Sequence, residues 1–180
     1  NNVAPSLFVC GRRTIAEGSL LNIWDMGMFT DSGFTNAPGG TAETFTYSIH
    51  WGDGSAPDTG AASVDIPGSS GKVTRGTFDG AHTYVDDGPY TVSLTVGDDD
   101  GGVSAARLVT VLVTNAPPVI TSASLDQDVL LESESVVLTG TFTDAGTSDT
   151  HTAVVDWGDG NVSDAVVDPA ARTFTATHQY

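Results

Sequence analysis

A single lysine, Lys72, and a single cysteine, Cys10, are all that 180 residues contain of either type. One thiol rules out an intrachain disulfide and any cysteine-based metal cluster. With 6 Lys+Arg against 23 Asp+Glu, the formal charge is −17. A chain so poor in cations cannot replace the counterions condensed on a phosphate backbone, so nucleic acid is excluded as a partner. Anionic membranes are disfavoured for the same reason, whereas solubility and divalent cations are favoured. No apolar run approaches the roughly 18 residues of a membrane-spanning helix, so membrane insertion is not expected. The chain opens NNVAP, with neither an initiator Met nor a signal peptide, and closes on THQY inside a repeated motif. A piece of a longer protein is expected.

Long helical periodicity is missing as well, and alternation takes its place. TFTYSIHW (44–51), YTVSLTV (90–96), RLVTVLV (107–113) and SVVLTGTF (135–142) interleave β-branched or aromatic residues with polar ones. Such runs, bounded by Gly, Asp and Pro, predict half-buried antiparallel strands. Many short strands separated by turns predict an all-β sandwich or barrel.

The chain is also duplicated. Asn2-Val3-Ala4-Pro5 is echoed by Asn115-Ala116-Pro117-Pro118, and Gly27-Met28-Phe29-Thr30-Asp31 by Gly140-Thr141-Phe142-Thr143-Asp144. Gly40 through Trp51 aligns without gaps to Gly146 through Trp157, and both copies continue Gly-Asp-Gly. Phe78 and His82-Thr83-Tyr84 match Phe174 and His178-Gln179-Tyr180. Two homologous domains follow, 1–114 and 115–180, joined by a short extended linker around VTNAPP. The first carries insertions at SGFTNAPGG and APDTGAASVDIPGSS, which are expected to be surface loops. Its last thirty or so residues have no match after Tyr180, so the second domain is expected to lack its final strands and to have open edges.

The succession of WGDG, His82-x-Tyr84 and DDGPYTVSLTVGDDDGG resembles the polycystic-kidney-disease (PKD) domain in its bacterial surface-protein form. The likeness covers 1–114 as a full unit and 115–180 as a truncated one. It departs from the family at HWGDG and DWGDG, which have one aromatic fewer than the commoner WDFGDG, and at FTDSG and FTDAG, where many members have S-x-D-x-DG. The resemblance implies tandem immunoglobulin-like β-sandwiches of about seven strands each, used as non-catalytic extracellular spacers or interaction modules. It also implies a structural calcium at one end of the sandwich, near the N-terminal linker, with Asn2, Asp31 and Asp98 at the matching positions and Asp100 as an extra ligand. In the second unit Asn115 and Asp144 remain, without the acidic turn. Calcium, a hard ion, takes six to eight oxygen ligands, and the Asp98-Asp99-Asp100 turn is otherwise a solvated charge run.

The remaining motifs read as architecture. Trp51 and Trp157 are expected to plug the core, and Asp53-Gly54 and Asp159-Gly160 to form tight turns in which both residues tolerate positive φ. His82 and Tyr84 lie on one face of an extended segment and are expected to form a buried, hydrogen-bonded pair at the sandwich corner. His50, His82, His151 and His178 do not have zinc-site spacing, and no serine sits in a nucleophile elbow. No enzymatic activity is expected.

Function is therefore expected to be that of an extracellular or cell-surface spacer and interaction module, stiffened by calcium. Its expected partners are other domains of the same large protein, and extracellular polysaccharide or protein. The alternative is a polysaccharide- or fibrous-protein-binding accessory of a secreted hydrolase, for which Trp24, Phe34 and Tyr47 are the candidate exposed aromatics. Homophilic cell adhesion, a third class, would require an apolar patch on an outward sheet face.

Overall fold

The computed structural model describes residues 2–129 and 131–180 and divides into two compact units, Asn1–Thr114 and Asn115–Tyr180. In the first, β1 (Ser6–Val9), β3 (Leu20–Asp31), β7 (Thr74–Thr83) and β6 (Ser63–Ile66) make one sheet in the order β1-β3-β7-β6. The other sheet, β2-β9-β8-β4-β5, comprises β2 (Arg13–Ala16), β9 (Arg107–Thr114), β8 (Gly88–Asp98), β4 (Phe45–His50) and β5 (Asp58–Ala61). Among the described residues only β2 and β9 run parallel; the N-terminal segment divides between the sheets, giving an immunoglobulin-like sandwich.

The alternating runs supply the core as their period requires. Val92, Leu94 and Val96 of β8 and Val109, Val111 and Val113 of β9 point inward against Leu21, Ile23, Met26 and Phe29 of β3. Each such side chain contributes about 1.5–3 kcal/mol on burial. The stretch expected to be a surface loop, APDTGAASVDIPGSS, instead contains β5 and β6, a single extended segment that changes sheet at Ala62. Both are edge strands, exposed along nearly their whole length. With little to bury, they carry no strong apolar alternation and hence no periodic signal.

The second unit is one sheet, β10-β11-β14-β13-β12, from β10 (Val119–Leu125), β11 (Ser135–Thr143), β12 (Ala153–Asp156), β13 (Val162–Asp168) and β14 (Thr173–Gln179). Strand β13 pairs with β12 through its first half and with β14 through its second, the place held in the first unit by β5 and β6 together. Among the described residues of 115–180 no strand corresponds to β8 or β9. The buried set shrinks accordingly, to Val136, Phe142, Trp157, Phe174 and Ala176.

One element of the repeat has a clear packing cause. The rings of Phe78 and Phe174 lie directly over Gly27 and Gly140, where any Cβ would collide with them.

Candidate functional site

Strands β3 and β8 belong to opposite sheets and end at Asp31 and Asp98. Asp31 is 4% exposed; its Oδ1 accepts from the Gly33 amide at 2.5 Å. Asp98 Oδ1 accepts from Asn2 Nδ2 at 2.9 Å and from the Gly102 amide at 2.7 Å. The second oxygen of each carboxylate, Asp31 Oδ2 and Asp98 Oδ2, is buried with no hydrogen-bond partner. Gly102 is close enough that a side chain there would strike both the Asp98 carboxylate and the Asn2 amide.

Glu43 lies beside this end, its carboxylate over Gly33, although sequence reasoning did not mark it. It lies two residues before Phe45, which pairs with Asp98 across β4 and β8, so the signal becomes readable only once that register is known. Burial, then the charges of Asp99, Asp31, Asp98 and Asp100, push its carboxyl up to about 7. Asp31 is also raised, by burial and by Asp98, against the lowering effect of the Gly33 amide. Of the residues expected here, Asn2 bonds to Asp98, and the charge of Asp98 acts on Asp31. Asp100 is exposed on the turn and acts on Glu43 through its charge, while Asp99 fastens the start of β4 through the Thr44 amide at 3.1 Å.

The second unit solves the same problem internally. Asp144, the counterpart of Asp31, accepts from His151 Nε2 at 2.6 Å, with both side chains nearly inaccessible. Arg172 stands beside them, its Nη1 3.5 Å from His151 Nε2 and its Nη2 donating to the Gly146 carbonyl. The His151 hydrogen bond is the main reason the Asp144 carboxyl is held below its ordinary value. In the gapless alignment the first unit has Phe45 where the second has His151. The two rings sit alike: Phe45 lies 4.6 Å from Phe29 at 48°, and His151 lies 4.7 Å from Phe142 at 48°. The first unit therefore keeps the ring and loses the partner of its aspartate.

The WGDG turns are architectural. Positive φ occurs at Gly52, Gly54, Gly158 and Gly160 and not at the aspartates, contrary to expectation. Asp53 and Asp159 are instead occupied through their side chains. Asp53 accepts from Ser55 and from His82 Nε2 (2.6 Å), and His82 stacks on Trp51 at 4.7 Å and 8°. Asp159 repeats this with Asn161 and His178, which stacks on Trp157 at 4.8 Å and 15°. The tyrosines bond elsewhere than to the histidines: Tyr84 and Tyr180 each donate to the carbonyl of their unit's tryptophan at 3.1 Å. In the Ser55–Asp53–His82 chain the carboxylate is in the middle, whereas hydroxyl activation needs the histidine there.

No protein-family model and no curated protein matches the chain. Among solved structures it is similar to the PKD domain of an M14-like peptidase from Thermoplasmatales archaeon SCGC AB-540-F20. That likeness has 22% identity and a TM-score of 0.42, over 63% of this chain and 98% of the other. It is also similar to the D00-D0 domain of Intimin, at 15% identity and a TM-score of 0.31 over 97% and 85% of the two chains. The assignment to an immunoglobulin-like sandwich rests on the strand order given above. No helix among the described residues is long and apolar enough to cross a membrane.

The three candidate aromatics do not share a sheet. Trp24 belongs to β3, Tyr47 to β4, and Phe34 borders the acidic end beside Glu43 and Asp99.

Proposed function

We propose that the chain is a non-catalytic extracellular module, a spacer and interaction element of a larger surface or secreted protein, whose first unit is stiffened by calcium at its acidic end. The observation that carries this reading is the pair of buried, unpartnered oxygens, Asp31 Oδ2 and Asp98 Oδ2, in the unit that has Phe45 in place of the histidine that satisfies Asp144. An unpaired buried charge is costly, and a divalent cation relieves two at once. The donors suit calcium, since they are oxygens alone: the carboxylates of Asp31 and Asp98 and the side-chain carbonyl of Asn2. Calcium, when bound, supplies the positive charge that the first unit's own side chains do not. Asn2 and Asp98 tie the segment before β1 to the end of β8, so filling the site fixes the start of the domain against its far sheet.

The test is thermal unfolding of the full chain in excess calcium and in chelator. Ligand that binds only the folded state raises its midpoint. Calcium is expected to raise the midpoint of the first unit, and Asp31→Asn to abolish that rise while stabilising the chelated protein. No shift with calcium overturns the reading, and a shift that survives both Asp31→Asn and Asp98→Asn places the ion elsewhere.

A further inference from the structure

The two units differ at a second place, and it bears on a separate surface. In β11 and β14 the register runs unbroken, with Leu138 opposite Ala176 and Gly140 opposite Phe174. In β3 and β7 Ile23 faces Gly80 and Gly27 faces Phe78, so Trp24, Asp25 and Met26 stand opposite Asp79 alone. The first unit thus carries a bulge with two more residues than the fold needs. Asp25 is held there at φ 50, and its amide donates to Asp79 Oδ1 at 2.8 Å. Bulges bend a strand and re-aim its side chains. Met26 turns into the core, and Trp24 is left 73% exposed. The sister sheet shows that neither the insertion nor the indole is required for folding.

Trp24 borders a hollow of about 440 Å³ with Asp25, Tyr47, Asp65 and Asp79. A second hollow adjoins it through Tyr47 and Asp79 and adds Asn22 and Asp58. No lysine or arginine lines either one. The carboxylates of Asp25, Asp65 and Asp79 are exposed around the indole, and they are acceptors only. An aromatic platform rimmed by carboxylates suits a cation, and a planar guanidinium best of all: it stacks on the indole face and bonds carboxylates in pairs. A neutral sugar ring would use the same platform together with the hydroxyls of Tyr47, Ser63 and Thr77, but would leave the surplus of carboxylate charge around the indole uncompensated.

We infer that the Trp24 bulge of the first unit is a docking site for an arginine-bearing extended segment of a partner protein, with Trp24 as the stacking platform and Asp65 and Asp79 as guanidinium acceptors. The site does not involve the acidic end and does not rest on calcium binding there. Charge complementarity in a chain of net charge −17 brings any polycation near, so the test separates this docking from bulk attraction.

The probe is a blocked Gly-Arg-Gly-Arg-Gly peptide, titrated into the full chain at physiological salt and followed by calorimetry and by tryptophan fluorescence. Trp51 and Trp157 are buried, so quenching reports Trp24. Saturable binding is expected, weakened about fivefold or more by Trp24→Ala, the scale of one cation–π contact. Trp24→Phe should retain part of it, Asp65→Asn should weaken it, and Asp99→Asn on the distant turn should leave it unchanged. Both Trp24 and Asp65 are exposed, so these variants keep the fold, and the calcium-dependent midpoint should be the same in each. Affinity equal in Trp24→Ala and the parent overturns the proposal, as does absence of binding. Trp24-dependent binding of a neutral hexasaccharide with none of the peptide overturns it in favour of a glycan.

Discussion

His151→Phe should convert the second unit to the state of the first, with a buried aspartate and no internal partner. The phenyl ring fits, because Phe45 already occupies the matching place against Phe29 with the same tilt. The loss is therefore electrostatic. Leaving a buried carboxylate without its hydrogen-bond donor costs about 1–3 kcal/mol, and more when the group left behind is charged. Part is recovered here, because Arg172, now bonded to the Gly146 carbonyl, can turn onto Asp144 and the phenyl ring adds apolar contact. A net loss of about 2 kcal/mol is expected. Hydrogen exchange read by mass spectrometry on peptides from β11 and β14 isolates the second unit from the first. Exchange there should quicken by about 30-fold, the equivalent of that free energy. The double variant His151→Phe/Asp144→Asn should regain most of the protection, since the buried charge is gone. Unchanged exchange in His151→Phe, or a double variant no better than the single one, would refute the argument that these aspartates require a partner, and with it the main support for a cation at Asp31.

Acid should loosen the two WGDG turns together. Burial pushes the Asp53 carboxyl up, but hydrogen bonds from Ser55 and His82 outweigh it and hold it at about 2; Asn161 and then His178 hold Asp159 at about 2. A carboxyl depressed in the folded state contributes stability in full above its unfolded value of 3.8 and loses it as pH falls through the folded one. Near-UV circular dichroism of the histidine-stacked tryptophans should be constant down to about pH 4 and fade toward pH 2; loss beginning well above that range would contradict the assignment. Gly27→Ala and Gly140→Ala should each destabilise their own unit by about 2 kcal/mol through collision with the Phe78 or Phe174 ring. Gly11→Ala, with nothing near its Cβ position, should be neutral when all three variants are compared by urea titration.

The all-β class, the duplication and the tryptophan plugs were legible because each follows from local order. Strands with a buried face must alternate, and Val92, Leu94 and Val96 do. A duplicated motif marks positions that both copies need, such as Gly27 and Gly140 under their phenyl rings. Tertiary structure alone decided the rest. Strands β5 and β6 were invisible as strands because an exposed edge need not alternate. Glu43 became part of the acidic end only through the pairing of Phe45 with Asp98. Trp24 could be recognised as a candidate for exposure, but not as the crest of a bulge, because a bulge is a mismatch between two strands and is written in neither. The exchange of His151 for Phe45 stood in the alignment from the start. Its meaning depended on which carboxylate the ring faces, a contact made by strands far apart in the chain.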